Sequence, residues 1–200
     1  TSGFGKTIMT AFARIEGRPC GLLASDCQSL GGAIDSDGAS KAARFFNICN
    51  VFKLPIVSLV DTPGFMVGPD SEKQGAVNHM TGLFVSGAKL EVPLVCIFLR
   101  KGYGLGAMAM AGGSFKMPLY TASWPTGEFG AMGIEGAVKL GFKKELESVK
   151  DNVSREHLFA DLVKKLYDRG KATEAASFLE IDAVIDPSES RLMITKAFKN

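Results

Sequence analysis

The sequence predicts an α/β domain in which helices cover a mostly parallel sheet. Two continuous apolar runs, Ile56 to Val60 and Pro93 to Leu99, are typical of strands buried on both faces. A glycine-containing loop follows each run, Asp61 to Gly68 after the first and Arg100 to Gly106 after the second. Because ligands of such domains bind beyond the carboxyl ends of the strands, these two loops are the first candidates for a site.

The segments before the first buried strand predict a hairpin and a helix. Residues Thr7 to Ile15 alternate, Pro19 to Ser25 form a short apolar run, and the turn Glu16 to Arg18 separates them. Capping residues between Asp35 and Ser40 then begin a run of helical spacing that Pro55 ends.

Further elements follow in alternation. The spacing predicts helices over Gln74 to Leu90, after Gly106 and over Ile134 to Phe142, and short strands over Leu119 to Ser123 and Glu128 to Ala131.

The C-terminal part is richer in charge and mainly helical. An amphipathic helix has Ser154 as its candidate N-cap and ends at Gly170. A small strand is expected over Ile181 to Ile185, and the pair Asp186-Pro187 begins a last helix that reaches Phe198.

The composition favours one globular domain and excludes several function classes. The 200 residues are 46% hydrophobic, as is typical of a globular protein. The net charge is only +2, without the clustered basic residues that bind a nucleic acid or an anionic membrane. The longest apolar run, Val92 to Leu99, is far shorter than the roughly 20 residues that span a bilayer. We therefore expect neither a nucleic-acid nor a membrane partner.

Cysteine and histidine usage gives expectations about compartment and metal. The four cysteines form no CxxC pair and predict buried thiols in a reducing interior, the cytoplasm, or the mitochondrial matrix of a eukaryote. His79 and His157 lie in polar helical stretches and are expected at the surface, so no metal site is expected. The start at Thr1 without a signal-peptide pattern suggests an excised or processed piece.

Two motifs have competing interpretations. The start Thr1 to Thr7 ends in Gly-Lys-Thr like a phosphate-binding loop, but it precedes an alternating strand, which favours a strand lead-in. Asp61 follows a buried strand, and from spacing alone it is equally a catalytic carboxylate or one that caps backbone amides.

The segment Arg100 to Met110 has the pattern of an oxyanion hole. Its glycines allow close approach of the backbone to a ligand, and successive amides at a helix start point donors at a developing negative charge. The alternative is a packing role for the same small residues. Trp124, before a proline, is expected to anchor a corner of the fold. Glu128 and Glu135 have the residue type of paired acid/base carboxylates, but their positions favour a helix cap and a salt-bridge partner.

Taken together, the blocks of this sequence resemble the C-terminal half of the carboxyltransferase of biotin-dependent acyl-CoA carboxylases, of the acetyl-CoA and propionyl-CoA carboxylase type. Seven blocks follow the family's order: Gly5-Lys6-Thr7 with Ala11 to Gly21, Lys41 to Phe45, Leu59 to Gly68, Gly87 to Leu90, Arg100 to Met110, Trp124 to Glu128 and Met132 to Val138. Each block is weak alone, but the ordered series is specific.

The resemblance implies a crotonase-like fold of ββα turns with C-terminal helices, as a single domain over residues 1–200. It implies transfer of a carboxyl group from carboxybiotin to the α-carbon of a short acyl-CoA through an enolate, without a metal in this domain. The implied partners are acyl-CoA, the biotin carboxyl carrier protein, the biotin carboxylase subunit and a second copy in a homo-oligomer. The family's N-terminal half, which supplies most CoA contacts and the other oxyanion hole, is not in this sequence, so the chain alone is expected to be inactive.

The resemblance also assigns site residues. The backbone amides of Leu105 and Gly106 match the biotin-side oxyanion hole, although this chain has Leu105 where the family has a second glycine, and a shift onto Gly106 and Ala107 is the alternative. Gly64, Phe65, Gly104 and Ala107 match the biotin side, and Met108 the acyl pocket. We expect the missing half to cover apolar side chains here, those of Phe65, Met66, Met108 and Met110.

Other functions remain open at this stage. A biotin-dependent decarboxylase or transcarboxylase subunit shares these motifs. A noncatalytic domain for assembly or biotin binding is the alternative from another class. A crotonase-type hydratase or isomerase is disfavoured because the sequence offers no convincing pair of acidic residues within one domain.

Overall fold

A computed structural model describes residues 3–199 of the chain. Its strands are β1 Ile8–Ile15, β2 Arg18–Ser25, β3 Ile56–Thr62, β4 Leu94–Tyr103, β5 Tyr120–Ser123, β6 Glu128–Gly130 and β7 Ala183–Val184. They form one sheet in the order β1-β2-β3-β4-β5-β7, and β6 pairs with the far end of β4. The hairpin β1–β2 is antiparallel and every other pairing is parallel, as the sequence predicts.

Helices cover the sheet and extend the C-terminal part. They are α1 Ser36–Val51, α2 Pro69–Lys73, α3 Ala76–Ala88, α4 Gly104–Met110, α5 Ile134–Gly141, α6 Lys143–Ser148, α7 Asn152–Arg169, α8 Ala172–Ser177 and α9 Ser190–Ala197. One-turn 3₁₀ helices lie at Leu30–Gly32 and Pro187–Glu189. No helix among residues 3–199 has the length and apolar character needed to cross a membrane.

The central strands are buried on both faces, which explains their continuous apolar sequence. On one face, Phe98 of β4 joins a core with Phe46 of α1 and Leu83 of α3. On the other face, Ile97 packs in a second core with Ile194 of α9. The two candidate loops therefore follow strands that are covered on both faces.

Local hydrogen bonds account for two of the predicted element starts. Asp35 caps α1 by accepting a hydrogen bond from the Gly38 amide at 2.8 Å. Thr7 leads directly into β1, and its Oγ1 donates to Asp35 Oδ1 at 2.8 Å. The strand lead-in is thus confirmed over Gly3 to Thr7, while Thr1 and Ser2 lie outside the described residues.

Several element boundaries differ from the sequence prediction. β4 continues to Tyr103, so the expected turn over Arg100 to Gly106 is strand in its first part, because β6 extends the ladder over residues 101–103. The N-cap of α7 is Asp151 and not Ser154: the Asp151 carboxylate accepts from the Ser154 amide at 2.8 Å. The short helices α2, α6 and α8 were not predicted, since a helix of five or six residues is too short to establish a 3.6-residue period.

Candidate active site

The two candidate loops meet at the carboxyl ends of β3 and β4. A β-carbon placed on Gly106 would lie 2.7 Å from the carbonyl carbon of Gly64 and 2.9 Å from the amide nitrogen of Phe65. Real β-carbons do not approach backbone so closely, so glycine at position 106 lets α4 begin directly against the loop after β3. The structure thereby brings together the two segments that the sequence singled out.

The first turn of α4 presents amide groups with no acceptor inside the helix. Gly104 has φ of +60°, and this left-handed residue turns the chain from β4 into α4. The first three amides of an α-helix have no carbonyl partner in a preceding turn, and in α4 these are the amides of Gly104, Leu105 and Gly106. These amides include those of Leu105 and Gly106, to which the resemblance assigns the oxyanion hole, and that assignment stays a prediction.

The opposing loop is held by its own hydrogen bonds. The Thr62 hydroxyl accepts from the Gly64 amide at 3.1 Å and donates to the Gly64 carbonyl at 3.2 Å. The same carbonyl accepts from the Ile34 amide at 2.9 Å, and the Met66 amide donates to the Ile34 carbonyl at 2.8 Å. The loop after β3 is therefore held from within by the Thr62 hydroxyl and from outside by the backbone of Ile34.

Asp61 binds backbone and side-chain donors from two neighbouring segments. Its Oδ1 accepts from the Lys101 amide at 3.0 Å, and its Oδ2 lies 3.1 Å from Arg100 Nη2 and accepts from Cys27 Sγ at 3.2 Å. Hydrogen bonding and attraction from Asp61 raise the pKa of Arg100. The Asp61 carboxylate thus satisfies the Lys101 amide, as one of its two interpretations predicts.

Tyr103 closes the other side of the α4 start. Its hydroxyl donates to Glu128 Oε2 at 2.7 Å. The pKa of Tyr103 is raised, mainly because the phenol is buried and in addition because it donates to this carboxylate. Glu128 is therefore the acceptor of a tyrosine hydrogen bond, a role that was not predicted from the sequence. Glu135 lies exposed in the first turn of α5, where a carboxylate complements the helix dipole.

The family-matched residues occupy three kinds of position. Leu105 is 63% exposed, Phe65 and Met108 are half-buried, and the Phe65 ring lies 6.4 Å from that of Phe84. Ala107 is completely buried in the core, so its side chain is closed to a ligand. The expectation of an exposed Met110 is wrong: this side chain is fully buried because it faces the sheet, where its sulfur accepts from Ser25 Oγ at 3.3 Å.

The remaining candidates lie away from this site. His79 and His157 are exposed, as expected, and His79 Nδ1 lies 2.7 Å from Ser40 Oγ. The indole of Trp124 donates to Ser190 Oγ at 2.9 Å and anchors a corner against α9. Within residues 3–199, no three His, Cys, Asp or Glu side chains are grouped as a metal site would require.

The thiols are free in the structure. Cys20, Cys49 and Cys96 are buried and Cys27 is half-buried. Burial raises the pKa of each thiol, that of Cys49 to about 11, so the thiolate is disfavoured.

Sequence reasoning missed an open groove of about 820 Å³ between β1 and α1. Its apolar lining includes Phe12, whose ring is 62% exposed and lies 5.6 Å from the Phe45 ring. The available signal was Phe12 itself, a large aromatic side chain at the outer edge of the sheet.

Comparison with known proteins gives the class to which this geometry belongs. A family model described as "Carboxyl transferase domain" matches residues 1–200. The methylmalonyl-CoA carboxyltransferase 12S subunit of Propionibacterium freudenreichii subsp. shermanii is 33% identical over 99% of this chain and 37% of its own length. The propionyl-CoA carboxylase beta chain of Cereibacter sphaeroides is 33% identical over 98% of this chain, again covering 37% of the relative.

Solved structures agree with this assignment. A structure described as a single-chain, multi-domain long-chain acyl-CoA carboxylase has a TM-score of 0.87 and 54% identity, over 96% of this chain and 19% of the other. The transcarboxylase 12S crystal structure, with methylmalonyl-coenzyme A and methylmalonic acid bound, has a TM-score of 0.91 and 32% identity, over 99% of this chain and 38% of the other.

The fold and the paired loops thus define a carboxyltransferase domain, and the crotonase-like α/β class expected from the sequence is confirmed. The chain belongs to the carboxyl transferase domain family, as its resemblance implied. It spans about 37% of the length of the curated relatives that it matches.

Proposed function

We propose that this chain forms the biotin side of a carboxyltransferase that moves a carboxyl group between biotin and the α-carbon of an acyl-CoA. The observation that carries the proposal is the contact between Gly106 and Gly64, which places the first turn of α4 beside the loop after β3. In this proposal the Leu105 and Gly106 amides donate to an oxygen on which negative charge develops. Fixed backbone donors suit this task because they need no reorganisation during the reaction.

The close packing of the two walls suits a ligand that contacts backbone. Gly106 and Gly104 let α4 pack directly against the loop after β3 and the Ala131 carbonyl oxygen. A β-carbon on Gly64, by contrast, would lie at an ordinary 3.5 Å from the Tyr103 carbonyl oxygen, so the Gly64 backbone is open to the approach of a ring. We assign Gly64, Phe65 and the Gly104 backbone to the biotin side, with Ala107 contributing by packing α4 against the core. When bound, biotin supplies the transferable carboxyl group and a nitrogen base, which explains why the site needs no side-chain base.

We assign Met108 to the acyl pocket, since it is half-buried on the first turns of α4. Acyl-CoA is the proposed substrate, in line with the CoA thioesters in the names of the relatives. The proposed partners are the family's N-terminal carboxyltransferase half, a biotin carboxyl carrier protein, a biotin carboxylase subunit and further copies of the chain. The free thiols support a reducing compartment such as the cytoplasm.

Decarboxylation of an acyl-CoA, or carboxyl transfer between acyl groups, is an alternative to carboxylation with equal support. The methylmalonyl-CoA decarboxylase subunit alpha of Propionigenium modestum is 33% identical over 98% of this chain, and the transcarboxylase subunit is as similar. Carboxylation, decarboxylation and transfer between acyl groups share the same developing charges, so these domains need the same donors.

The test follows decarboxylation of malonyl-CoA or methylmalonyl-CoA in the presence of free biotin. The chain is assayed alone and after assembly with the N-terminal carboxyltransferase half. Biotin-dependent activity only in the assembled protein supports the proposal. A folded assembly that binds biotin but turns over neither substrate contradicts it and favours the noncatalytic assembly domain.

A further inference from the structure

We propose that Asp61 is a positioning residue that sets the register between the two walls of the candidate site. The inference rests on the proposed function and adds to it a residue that touches neither substrate. The notable feature is where Asp61 lies: it follows Val60 on β3 and precedes Gly64 by three residues. Asp61 therefore lies on β3, which leads into the Gly64 loop, while its carboxylate binds β4, which leads into α4.

The first step of the argument is an irregularity in the β3–β4 ladder. Val60 pairs with Phe98, and the next pair is Thr62 with Gly102. One residue of β3, Asp61, therefore stands opposite the three residues of β4 from 99 to 101. An insertion of this kind leaves backbone groups of the longer strand without their ladder partners.

The Asp61 carboxylate replaces a lost ladder partner. Its Oδ1 accepts from the Lys101 amide at 3.0 Å, and Tyr103 ends β4 only two residues later. The bond thus fixes the bulged stretch immediately before the chain turns into α4 at Gly104. A change in the position of Lys101 is transmitted to the Leu105 and Gly106 amides through a short, continuous backbone.

The second step is that Asp61 is itself held firmly. Its amide donates to Ser25 Oγ at 3.1 Å, and Ser25 Oγ donates to Met110 Sδ at the end of α4. Cys27 Sγ and Arg100 Nη2 both bind Oδ2, and the Asp61 side chain is only 14% exposed. Asp61 is thus linked to the segment before α4 through the Lys101 amide and to the last residue of α4, Met110, through Ser25.

The carboxylate chemistry is specific. An ionised carboxylate only accepts, so both of its oxygens can face the thiol, the guanidinium and the amide. The side-chain amide of an asparagine here would turn its NH₂ group either towards the Lys101 amide or towards the Arg100 guanidinium and the Cys27 thiol, so a donor would face a donor in both orientations. Asp61→Asn therefore changes the hydrogen bonds with almost no change in volume.

The experiment compares variants in the carboxyltransferase assembled from this chain and its N-terminal half. For Asp61→Asn we expect kcat/KM for free biotin to fall about 10- to 100-fold, because a small misplacement of positioned groups has effects of this size. The KM for the acyl-CoA is expected to stay within about twofold, since the acyl-CoA is held mainly by the other half. A purely structural role of Asp61 would lower kcat/KM equally for biotin and for the acyl-CoA, or would lower the amount of folded protein.

Two controls complete the design. Asp70→Asn makes the same chemical change on α2, where the side chain is 96% exposed and its pairing with Lys73 is 3.9 Å long, and activity should be unchanged. Arg100→Gln removes the ion pair but keeps the Lys101 amide bond, and we expect less than a threefold loss. If Asp61→Asn does not fold, Asp61→Glu, which displaces the carboxylate by one methylene, must show the same loss on the biotin side.

The outcomes separate this proposal from the proposed function. An inactive wild-type assembly contradicts the function itself. An active wild type with an Asp61→Asn variant within twofold of it, or with equal losses for biotin and acyl-CoA, overturns the positioning role. Failure of both Asp61 variants to fold also overturns it and assigns Asp61 to stability alone.

Discussion

Gly64 lies in the loop after β3 and Gly106 on α4, yet the two residues are in backbone contact, with room for a hydrogen atom but not for a methyl group. The virtual β-carbon of Gly106 lies 2.7 Å from the Gly64 carbonyl carbon. A Gly106→Val substitution should therefore separate the loops and lower biotin-dependent decarboxylation about 100-fold or more, as loss of an oxyanion donor does. Activity is measured in the assembled carboxyltransferase.

Gly82→Ala is the matched control for that substitution. Nothing lies within 4 Å of a β-carbon at Gly82, in the middle of α3. Alanine there should raise the free energy of unfolding by about 0.5–1 kcal/mol and leave activity unchanged. A Gly106→Val protein that is folded and fully active would remove the oxyanion role from this segment.

The bond between Tyr103 and Glu128 predicts a stability effect at the start of α4. Tyr103→Phe leaves the half-buried Glu128 carboxylate without its hydroxyl donor at 2.7 Å. The free energy of unfolding in urea should fall by about 1–2 kcal/mol, the usual effect of removing one partner of a buried hydrogen bond.

Tyr167→Phe supplies the comparison for Tyr103→Phe. Tyr167 lies exposed on α7 with the Lys171 ammonium 6.0 Å from its ring centroid, a contact that phenylalanine retains. Its substitution should alter stability by less than about 0.5 kcal/mol. Equal effects of the two substitutions would mean that the Glu128 bond contributes nothing to stability.

Cys49 predicts a loss of stability at alkaline pH. Burial raises the pKa of its thiol to about 11 in the folded protein, above the ordinary 9.0 of an exposed thiol. The unfolded chain therefore releases this proton first, and the contribution to stability is complete below pH 9 and lost as the pH rises towards 11. Thermal midpoints of wild type and Cys49→Ala, measured between pH 8 and 11, should converge. Parallel profiles would contradict the shift.

The cap of α7 predicts an effect at the opposite end of the pH scale. Hydrogen bonds from Ser154 lower the pKa of Asp151, so its stabilisation of the helix is present near neutral pH and lost as the pH falls below the ordinary aspartate range. Asp151→Ala should lower the thermal midpoint at pH 7, and the difference from wild type should shrink in acid. Asp161→Ala, an exposed mid-helix change in α7, should not lower the midpoint.

The sequence was most informative where burial sets the pattern. The strands β3 and β4 were predicted because both faces of each are covered, which leaves a continuous apolar run with turn residues behind it. The boundaries were less predictable where a distant partner decides them. β4 continues past Leu99 because β6, almost thirty residues later in the chain, pairs with its end.

Parts of the site depended equally on distant partners. The role of Asp61 was undecided from spacing, because its main partner is the Lys101 amide, forty residues away. Met110 was expected at the surface, since a helix of seven residues has too few turns to show which side faces the sheet. Gly106 was singled out by its position at a strand end, with an oxyanion role and a packing role as the alternatives; the structure shows its packing against Gly64, and the oxyanion role stays a prediction.

The absence of a loop between β4 and α4 has a consequence for how the first amides of α4 can move. The chain passes from Gly102 and Tyr103, the buried last residues of β4, to the amides of Leu105 and Gly106 through Gly104 alone. Residues 101–103 are themselves paired with β6. Any shift of these two amides must therefore include the end of β4, because no flexible segment lies between them.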